Sequence, residues 1–333
     1  MESRTSFTYT LTREQQAVLA DLLRHGNYRP AVVPHTVVAA DGDGCRIALF
    51  KSGKCLVQGK GAEDFVTFVL EPLVLQEAQL GYEDVLRPET TQPHMGVDES
   101  GKGDFFGPLT VAAAYVDRPL AEAFRALQVR DSKRITSDTT VLQMAREIRK
   151  LLGERYSVVL IGPARYNQLY ARIRNVNALL AWAHARAIEN LLAKVPACPR
   201  AISDQFGSKE QVRRALMQKG RAIELVQHPR AESDLAVAAA SVLAREAFIY
   251  ALRRLGDRYQ VSLPKGAAAA VQEAAINLVQ KHTPAVLLET AKCHFKTMDT
   301  VLERLKLDRS VLGPTGMVRS RPSLPRRRSV PGA

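Results

Sequence analysis

Residues 96–109 read GVDESGKGDFFGPL and place two adjacent carboxylates, Asp98 and Glu99, directly before a Gly-Lys-Gly turn. Carboxylates this close raise each other's pKa unless a cation neutralises them. Glycines expose backbone N–H groups and lysine adds positive charge, an arrangement suited to a phosphate. The stretch therefore predicts a metal ion beside a phosphate, as in phosphodiester chemistry.

The backbone must change direction at this point for both carboxylates to serve one site. Residues 95–99 are predicted to be a strand, on which neighbouring side chains point to opposite faces. Ser100-Gly101 allows the strand to end or bulge there. An isolated Asp-Glu pair is more typical of a solvated loop, but the surrounding glycines favour a site.

Strands and helices alternate on the C-terminal side of this stretch, up to residue 306. Strands are predicted at residues 95–99, 110–116, 156–161, 201–203 and 222–227. Helices are predicted at residues 120–127, 139–152, 177–193, 209–216, 234–254 and 298–307. Such alternation predicts an α/β domain, residues 95–306, with a sheet covered on both faces.

A smaller α+β domain is predicted for residues 1–82. Strands are predicted at residues 7–11, 36–40, 45–51 and 54–58, and glycine turns separate the last three, which indicates an antiparallel meander. Helices are expected at residues 12–25 and 62–79 on one side of that sheet, with Pro72 kinking or splitting the second. Residues 83–94 form a predicted linker, and residues 307–333 a basic tail whose Pro, Gly, Ser and Arg content predicts disorder.

The composition favours a soluble protein with a polyanionic partner. The chain has 333 residues, 46% of them hydrophobic, and a net charge of +13, of which the six arginines after residue 308 supply +6. No apolar run reaches the ~18 residues of a membrane span and the N-terminus lacks a signal sequence, so we expect a cytoplasmic protein without a membrane partner. The four cysteines lack metal-ligand spacing and are expected to be reduced thiols.

Other acidic residues are candidates for the same site. Asp204 ends a predicted strand, where a lone aspartate is most often a cap or turn residue. Glu232 and Asp234 open the helix near residue 234, and acids there are commonly caps. That interpretation is stronger for Asp234, because Glu232 precedes the helix and can project into a cleft. The small residues 238–240 allow close packing of this helix on the sheet.

Several polar residues are candidate substrate contacts. Asp131-Ser132-Lys133-Arg134 follows a helix, and Asn175 and Asn177 precede another, which one of the two is expected to cap. Trp182 and His184 on that helix are more typical of a core or a supporting position than of ligands. Lys265, His294 and Lys296 are most simply interpreted as solvated surface, and the exposed face of the first domain carries Lys51, Lys54 and Lys60.

Several motifs along the chain resemble those of a known family. They are Gly96 to Leu109, Asp131-Ser132-Lys133, Asn175-Val176-Asn177 with Leu180 to His184, Ser203 to Phe206, Ala231-Glu232-Ser233 with Ala238 to Arg245, and His294 to Thr297. In this order they resemble a type 2 ribonuclease H, and within that group the chain is similar to ribonuclease HIII. Lys51 to Lys54 and Gln58 to Gly61 also resemble that family.

The resemblance implies a ribonuclease H-like α/β fold, a mixed sheet flanked by helices, with a small N-terminal domain similar to the TATA-binding-protein fold. It implies that Asp98, Glu99, Asp204 and Glu232 are catalytic, metal-binding carboxylates. It also implies that Ser100 and Gly101-Lys102-Gly103 contact the substrate near the scissile phosphate and its 2′-hydroxyl. Ribonuclease HII usually has Asp in the fourth place and lacks the extra domain, so Glu232 favours HIII. The basic tail lies outside the family pattern.

The resulting hypothesis is hydrolysis of the RNA strand of an RNA–DNA hybrid by a monomer with two Mg²⁺ or Mn²⁺ ions, ~3.5–4 Å apart. The products carry 5′-phosphate and 3′-hydroxyl ends. Expected substrate contacts are Ser100, Gly101, Lys102, Gly103, Ser132, Lys133, Asn175, Asn177, Lys51, Lys54 and Lys60. The alternatives are ribonuclease HII-like incision at single ribonucleotides in DNA, and a hybrid-binding protein without catalysis.

Overall fold

The computed structural model describes residues 5–76, 92–129, 131–204, 214–216, 223–228, 231 and 234–319. The chain divides into two compact units, residues 1–89 and 90–333. Most of the predicted linker at 83–94 lies outside the described residues.

The first unit contains a five-stranded antiparallel sheet in the order β1-β5-β4-β3-β2. Its strands are β1 Ser6–Thr10, β2 Arg29–Pro30, β3 Thr36–Gly42, β4 Cys45–Phe50 and β5 Lys54–Gly59. Cys55 and Val57 of β5 are buried while Lys54 and Gln58 are exposed, the alternation of a sheet with one buried face. The helix α1, Arg13–His25, shares the core of that face and begins at a Thr12 capping box.

A second helix of this unit changes type along its length. It begins as α2, Ala62–Phe65, and continues as a π-helix over Val66–Leu75. Pro72 lies inside the π-helical stretch, where the wider turn accommodates a residue that cannot donate a backbone hydrogen bond. Pro72 was predicted to kink or split a helix over residues 62–79; the structure instead shows a change of helix type, and the helix ends at Leu75.

The second unit contains a mixed five-stranded sheet in the order β10-β9-β6-β7-β8. Its strands are β6 His94–Ser100, β7 Leu109–Val116, β8 Tyr156–Ile161, β9 Arg200–Asp204 and β10 Glu224–His228. Strands β10, β9 and β6 run parallel, whereas β6, β7 and β8 pair antiparallel. The predicted mixed sheet is confirmed.

Helices cover both faces of this sheet. Within the described residues, the helices of this unit are α3 Arg118–Ala126, α4 Asp138–Leu152, α5 Pro163–Ile173, α6 Val176–Leu192, α7 Leu235–Tyr259, α8 Ala269–Lys281, α9 Val286–Thr290, α10 Lys296–Arg304 and α11 Gly313–Gly316. Val111 and Ala113 of β7 pack with α6 in one core, whereas Ala112 and Ala114 pack with α4 and α7 in the other. The predicted coverage of both faces is confirmed.

Helix α7 lies directly on β6 because its first turns carry small side chains. A Cβ added at Gly96 would lie 2.0 Å from the backbone nitrogen of Val237, so only glycine allows this approach. Within the described residues, α7 is the one helix long and apolar enough to cross a membrane by length and composition, and most of its apolar stretch is buried inside the protein. It is the core helix of this unit.

The C-terminal region differs from the sequence prediction of disorder from residue 307. Residues Arg309–Leu312 form a 3₁₀ helix and α11 follows directly. The reason is Arg309, which is buried and donates to the carbonyl of Gly316, the carbonyl of Cys293 and the carboxylate of Asp299. These bonds attach the segment to the rest of the second unit. Residues 320–333 and most of the helix predicted at 209–216 lie outside the described residues. All four cysteines are buried and free.

Candidate active site

Two carboxylates reach one edge of the sheet because adjacent parallel strands end there. Val97 of β6 pairs with Ser203 of β9, so the next residues, Asp98 and Asp204, follow side by side. Asp98, Glu99 and Asp204 all line one cavity of about 490 Å³. The fourth expected carboxylate, Glu232, lies outside the described residues.

The carboxyl group of Asp98 lies where its ionised form is disfavoured. Its side chain is buried, and one oxygen accepts the backbone N–H of Glu99 at 2.8 Å. Burial and the neighbouring charge of Glu99 raise its pKa to about 7, although that N–H and Lys133 favour the ionised form. Burial and a neighbouring negative charge both disfavour the ionised form of a carboxyl group.

Glu99 is better compensated. Burial opposes its ionisation, but His184, Lys102 and Lys133 together hold its pKa below the usual value. His184 Nε2 lies 3.1 Å from one carboxylate oxygen and Lys102 Nζ lies 3.5 Å from the other. His184 is a buried residue of α6. The sequence left open whether it lies in the core or supports the site, and the structure places it next to the Glu99 carboxylate.

The Gly-Lys-Gly turn forms the rim of the cavity. Gly101 has a φ of +87°, and a Cβ there would lie 2.3 Å from the carbonyl oxygen of Pro108. No larger residue fits, which explains the glycine physically. Ser100, Gly101, Lys102 and Gly103 all line the cavity, and Lys102 and Gly103 are exposed.

A short 3₁₀ helix, Ser132–Arg134, brings Lys133 to the same cavity. The carboxylate of Asp131 accepts the N–H of Lys133 at 3.2 Å and the hydroxyl of Ser241 at 2.9 Å, and Ser132 is buried against Ser241. Burial favours the neutral form of Lys133, but Asp98, Asp131, Glu99 and Asp204 outweigh it and raise its pKa. The predicted lysine is thus a cation held toward the carboxylates.

Two cations of the cavity were not predicted as site residues, since Lys265 was interpreted as solvated surface and Arg245 only ended a quoted motif. Arg245 of α7 and Lys265 line it, and both contact Asp138. Arg245 also donates to the carbonyls of Ser132 and Ile135, which fixes the turn that carries Lys133. The two residues lie on separate segments that only the fold brings together. Their positive charge was therefore the one property in the sequence that could have pointed to the site.

Other predicted residues do not line this cavity. Asn175 caps α6, accepting the N–H groups of Asn177 at 2.9 Å and Ala178 at 3.2 Å. Asn177 also lies outside it. Asp234 caps α7 and lies 3.0 Å from Nε2 of His94, a structural role.

The three lysines expected to bind substrate in the first unit are all exposed. Lys51 and Lys54 flank the turn between β4 and β5, whereas Lys60 follows the opposite end of β5.

The donor set of the cavity fits a hard divalent cation. Its candidate ligands are carboxylate oxygens, the ligands that Mg²⁺ and Mn²⁺ take, and no thiol lines the cavity. Within the part of the chain that the structure describes, no group of three acidic, His or Cys side chains is arranged to hold an ion.

The sequence and the fold are similar to known nucleases. Residues 95–298 match the family model of ribonuclease HII. Ribonuclease HIII of Chlamydia pneumoniae is 42% identical over 299 residues, which are 89% of this chain and 97% of that protein. Ribonuclease HIII of Protochlamydia amoebophila is 40% identical over 306 residues, 92% of this chain and 99% of that protein. The crystal structure of Bst-RNase HIII in complex with Mn²⁺ has a TM-score of 0.63 at 26% identity, covering 91% of this chain and 99% of that one.

Proposed function

The chain belongs to the ribonuclease HIII family and is an RNase H-type nuclease, and from this premise we propose that it hydrolyses the RNA strand of RNA–DNA hybrids with two divalent metal ions. The products carry 5′-phosphate and 3′-hydroxyl ends. The observation that carries this proposal is the cavity in which Asp98, Glu99 and Asp204 lie beside the Gly101–Gly103 turn.

The carboxylates Asp98, Glu99, Asp204 and Glu232 are the proposed ligands of Mg²⁺ or Mn²⁺. The raised pKa of Asp98 supports this assignment, because a bound cation would offset the burial and the Glu99 charge that cause the shift. When bound, two such ions supply a nucleophilic hydroxide and neutralise the charge of the leaving 3′ oxygen.

The groups of this chain hold the substrate around that centre. Backbone N–H groups of the Gly101–Gly103 turn are the proposed hydrogen-bond donors to the scissile phosphate and the 2′-hydroxyl, the group that distinguishes RNA from DNA. Lys102, Lys133, Arg245 and Lys265 give the cavity the positive charge that a polyanion requires. His184 orients Glu99.

The first unit is proposed to hold the hybrid through its backbone. Its antiparallel sheet, with helices packed in the core on one face, is the arrangement expected of a domain similar to the TATA-binding-protein fold. Lys51, Lys54 and Lys60 are its proposed phosphate contacts, which act through charge and therefore weaken as salt rises.

A cleavage assay on two matched substrates tests the proposed function. One is a continuous RNA–DNA hybrid and the other is a DNA duplex with one embedded ribonucleotide, each with and without Mg²⁺ or Mn²⁺. We expect metal-dependent cleavage of the continuous hybrid at many positions. Exclusive incision at the single ribonucleotide supports the ribonuclease HII-like alternative, and binding without cleavage supports the non-catalytic one.

A further inference from the structure

A buried lysine contacts residues 104–107, the loop that follows the Gly101–Gly103 turn. Lys292 has no exposed surface, and its ammonium donates to the carbonyl oxygens of Asp104 at 2.8 Å, Gly107 at 2.8 Å and Phe106 at 3.4 Å. An ammonium has three N–H donors, and here each finds an acceptor in the same four-residue loop. No sequence pattern predicts this contact, which joins residues about 185 positions apart.

The backbone around Lys292 joins the same loop. The N–H of Lys292 donates to the carbonyl of Phe105 at 2.8 Å, and the N–H of Gly107 donates to the carbonyl of Thr290 at 2.9 Å. Residues 290–293, which we call the brace, therefore form one short β-bridge with the loop, centred on Phe106 and Ala291. The brace therefore holds the loop in two ways: the Lys292 ammonium binds its carbonyl oxygens, and the backbone hydrogen bonds set the path of its chain.

The brace itself is held by two buried side chains from other elements. Asn167 of α5 donates to the carbonyls of Leu288 and Ala291 and accepts the N–H of Cys293 at 2.9 Å. Arg309, in the C-terminal segment that sequence predicted to be disordered, donates to the carbonyl of Cys293. The brace is thus attached to the body of the second unit at several points.

The loop end nearest the cavity is anchored as well. The carboxylate of Asp104 accepts the N–H of Gly266, and the N–H of Asp104 donates to the carbonyl of Gly101 at 3.3 Å. A displacement of residues 104–107 therefore moves Gly101 and its neighbours. Misplacement of about 1 Å in a positioning element can cost about 100-fold in rate.

Burial of the Lys292 ammonium costs free energy unless hydrogen bonds compensate for the lost water. Burial lowers the pKa of Lys292, and the charge of Asp104 opposes the loss of the proton. An apolar side chain of similar length would avoid that cost but leave three carbonyls without a donor. The ammonium is suited to fixing a loop that makes no regular sheet or helix.

We propose that Lys292 is a positioning residue that holds the Gly101–Gly103 turn in its substrate-reading geometry through the carbonyls of residues 104–107. The inference rests on the proposed function of that turn. Lys292 touches neither substrate nor metal, so its removal reduces turnover without weakening metal binding.

The test compares Lys292→Met with the matched control Lys281→Met, an exposed lysine in the last turn of α8. We expect kcat on a continuous hybrid to fall about 10- to 100-fold in Lys292→Met. The Kd for Mn²⁺, measured by calorimetry, stays within twofold, and Lys281→Met matches the wild type. Wild-type kcat in folded Lys292→Met overturns the proposal, as does a parallel loss of Mn²⁺ affinity, which indicates a general structural defect.

Two further measurements keep the proposal testable. If Lys292→Met does not fold, Lys292→Gln replaces it under the same criteria, because its shorter amide cannot reach all three carbonyls. Amide hydrogen exchange of residues 101–107 separates this inference from the proposed function, since it needs no cleavage. Faster exchange in the variant supports the brace even if the wild type does not cleave hybrids, and unchanged exchange overturns it.

Discussion

Replacement of Asp98 by asparagine is expected to abolish activity while making the metal-free protein more stable. The side chain is 5% exposed, and its pKa is raised from 3.8 to about 7 by burial and by Glu99. A difference of about 3 pKa units at about 1.4 kcal/mol each means that ionised Asp98 destabilises the fold by about 4 kcal/mol. Asparagine has nearly the same shape and no charge, so Asp98→Asn removes this cost.

The sign of the effect follows from the direction of the pKa shift. A carboxyl group whose folded pKa lies above its unfolded pKa carries no penalty below about pH 3, where it is protonated in both states. The penalty grows as pH rises and is complete above pH 7. The stability gain of Asp98→Asn is therefore expected to be about 4 kcal/mol at pH 8, about 2 kcal/mol at pH 5 and absent near pH 3.

Denaturant unfolding in EDTA at these three pH values measures the gain, and hybrid cleavage with Mn²⁺ measures the loss. We expect cleavage to fall about 1000-fold, because a lost metal contact removes several kcal/mol of transition-state stabilisation. Asp234→Asn is the matched control: this buried aspartate caps α7, and asparagine also caps helices, so cleavage stays close to the wild type. A less stable Asp98→Asn protein at pH 8, or one that cleaves normally, refutes the reasoning.

Three further predictions concern other parts of the molecule. His184→Leu is expected to weaken Mn²⁺ binding and cleavage about 10- to 100-fold because Glu99 loses its partner, whereas His184→Gln keeps an N–H donor and most of the activity; equal behaviour of the two variants would argue against orientation. Burial lowers the pKa of His294 to about 4, so the folded state resists protonation and the contribution of this residue to stability falls by about 2 kcal/mol from pH 7 to pH 5, whereas Asp98 changes stability in the opposite direction. The stability of His294→Phe relative to the wild type is therefore expected to rise by about 2 kcal/mol over this range in denaturant titrations, and an unchanged difference contradicts the assignment. Deletion of residues 1–82 is expected to raise KM for a hybrid and spare Mn²⁺ affinity; an unchanged KM contradicts a substrate-binding role of the first unit.

The polar residues differ in how far the sequence predicted their positions. Asp98 and Glu99 were found because a carboxylate pair beside a Gly-Lys-Gly turn is a local signal. Asp234 was correctly interpreted as a helix cap, and of the two asparagines of which one was expected to cap, Asn175 does so, since capping depends on the residues that follow within one turn. Arg309 was misjudged, because a segment of low hydrophobicity orders here through bonds to distant carbonyls rather than through a core of its own.

The sequence by itself determined the alternation of strands and helices, the two units and the chemistry of the carboxylate pair, because each depends on neighbours within a few residues. The tertiary structure alone decided that His184 contacts Glu99, that Arg245 and Lys265 enter the cavity, and that Lys292 holds the loop after the Gly101–Gly103 turn. These contacts join residues about 85 to 190 positions apart. Neither helical nor strand periodicity encodes such pairings, since they arise only when the parallel strands and the close-packed α7 bring distant segments to one edge of the sheet.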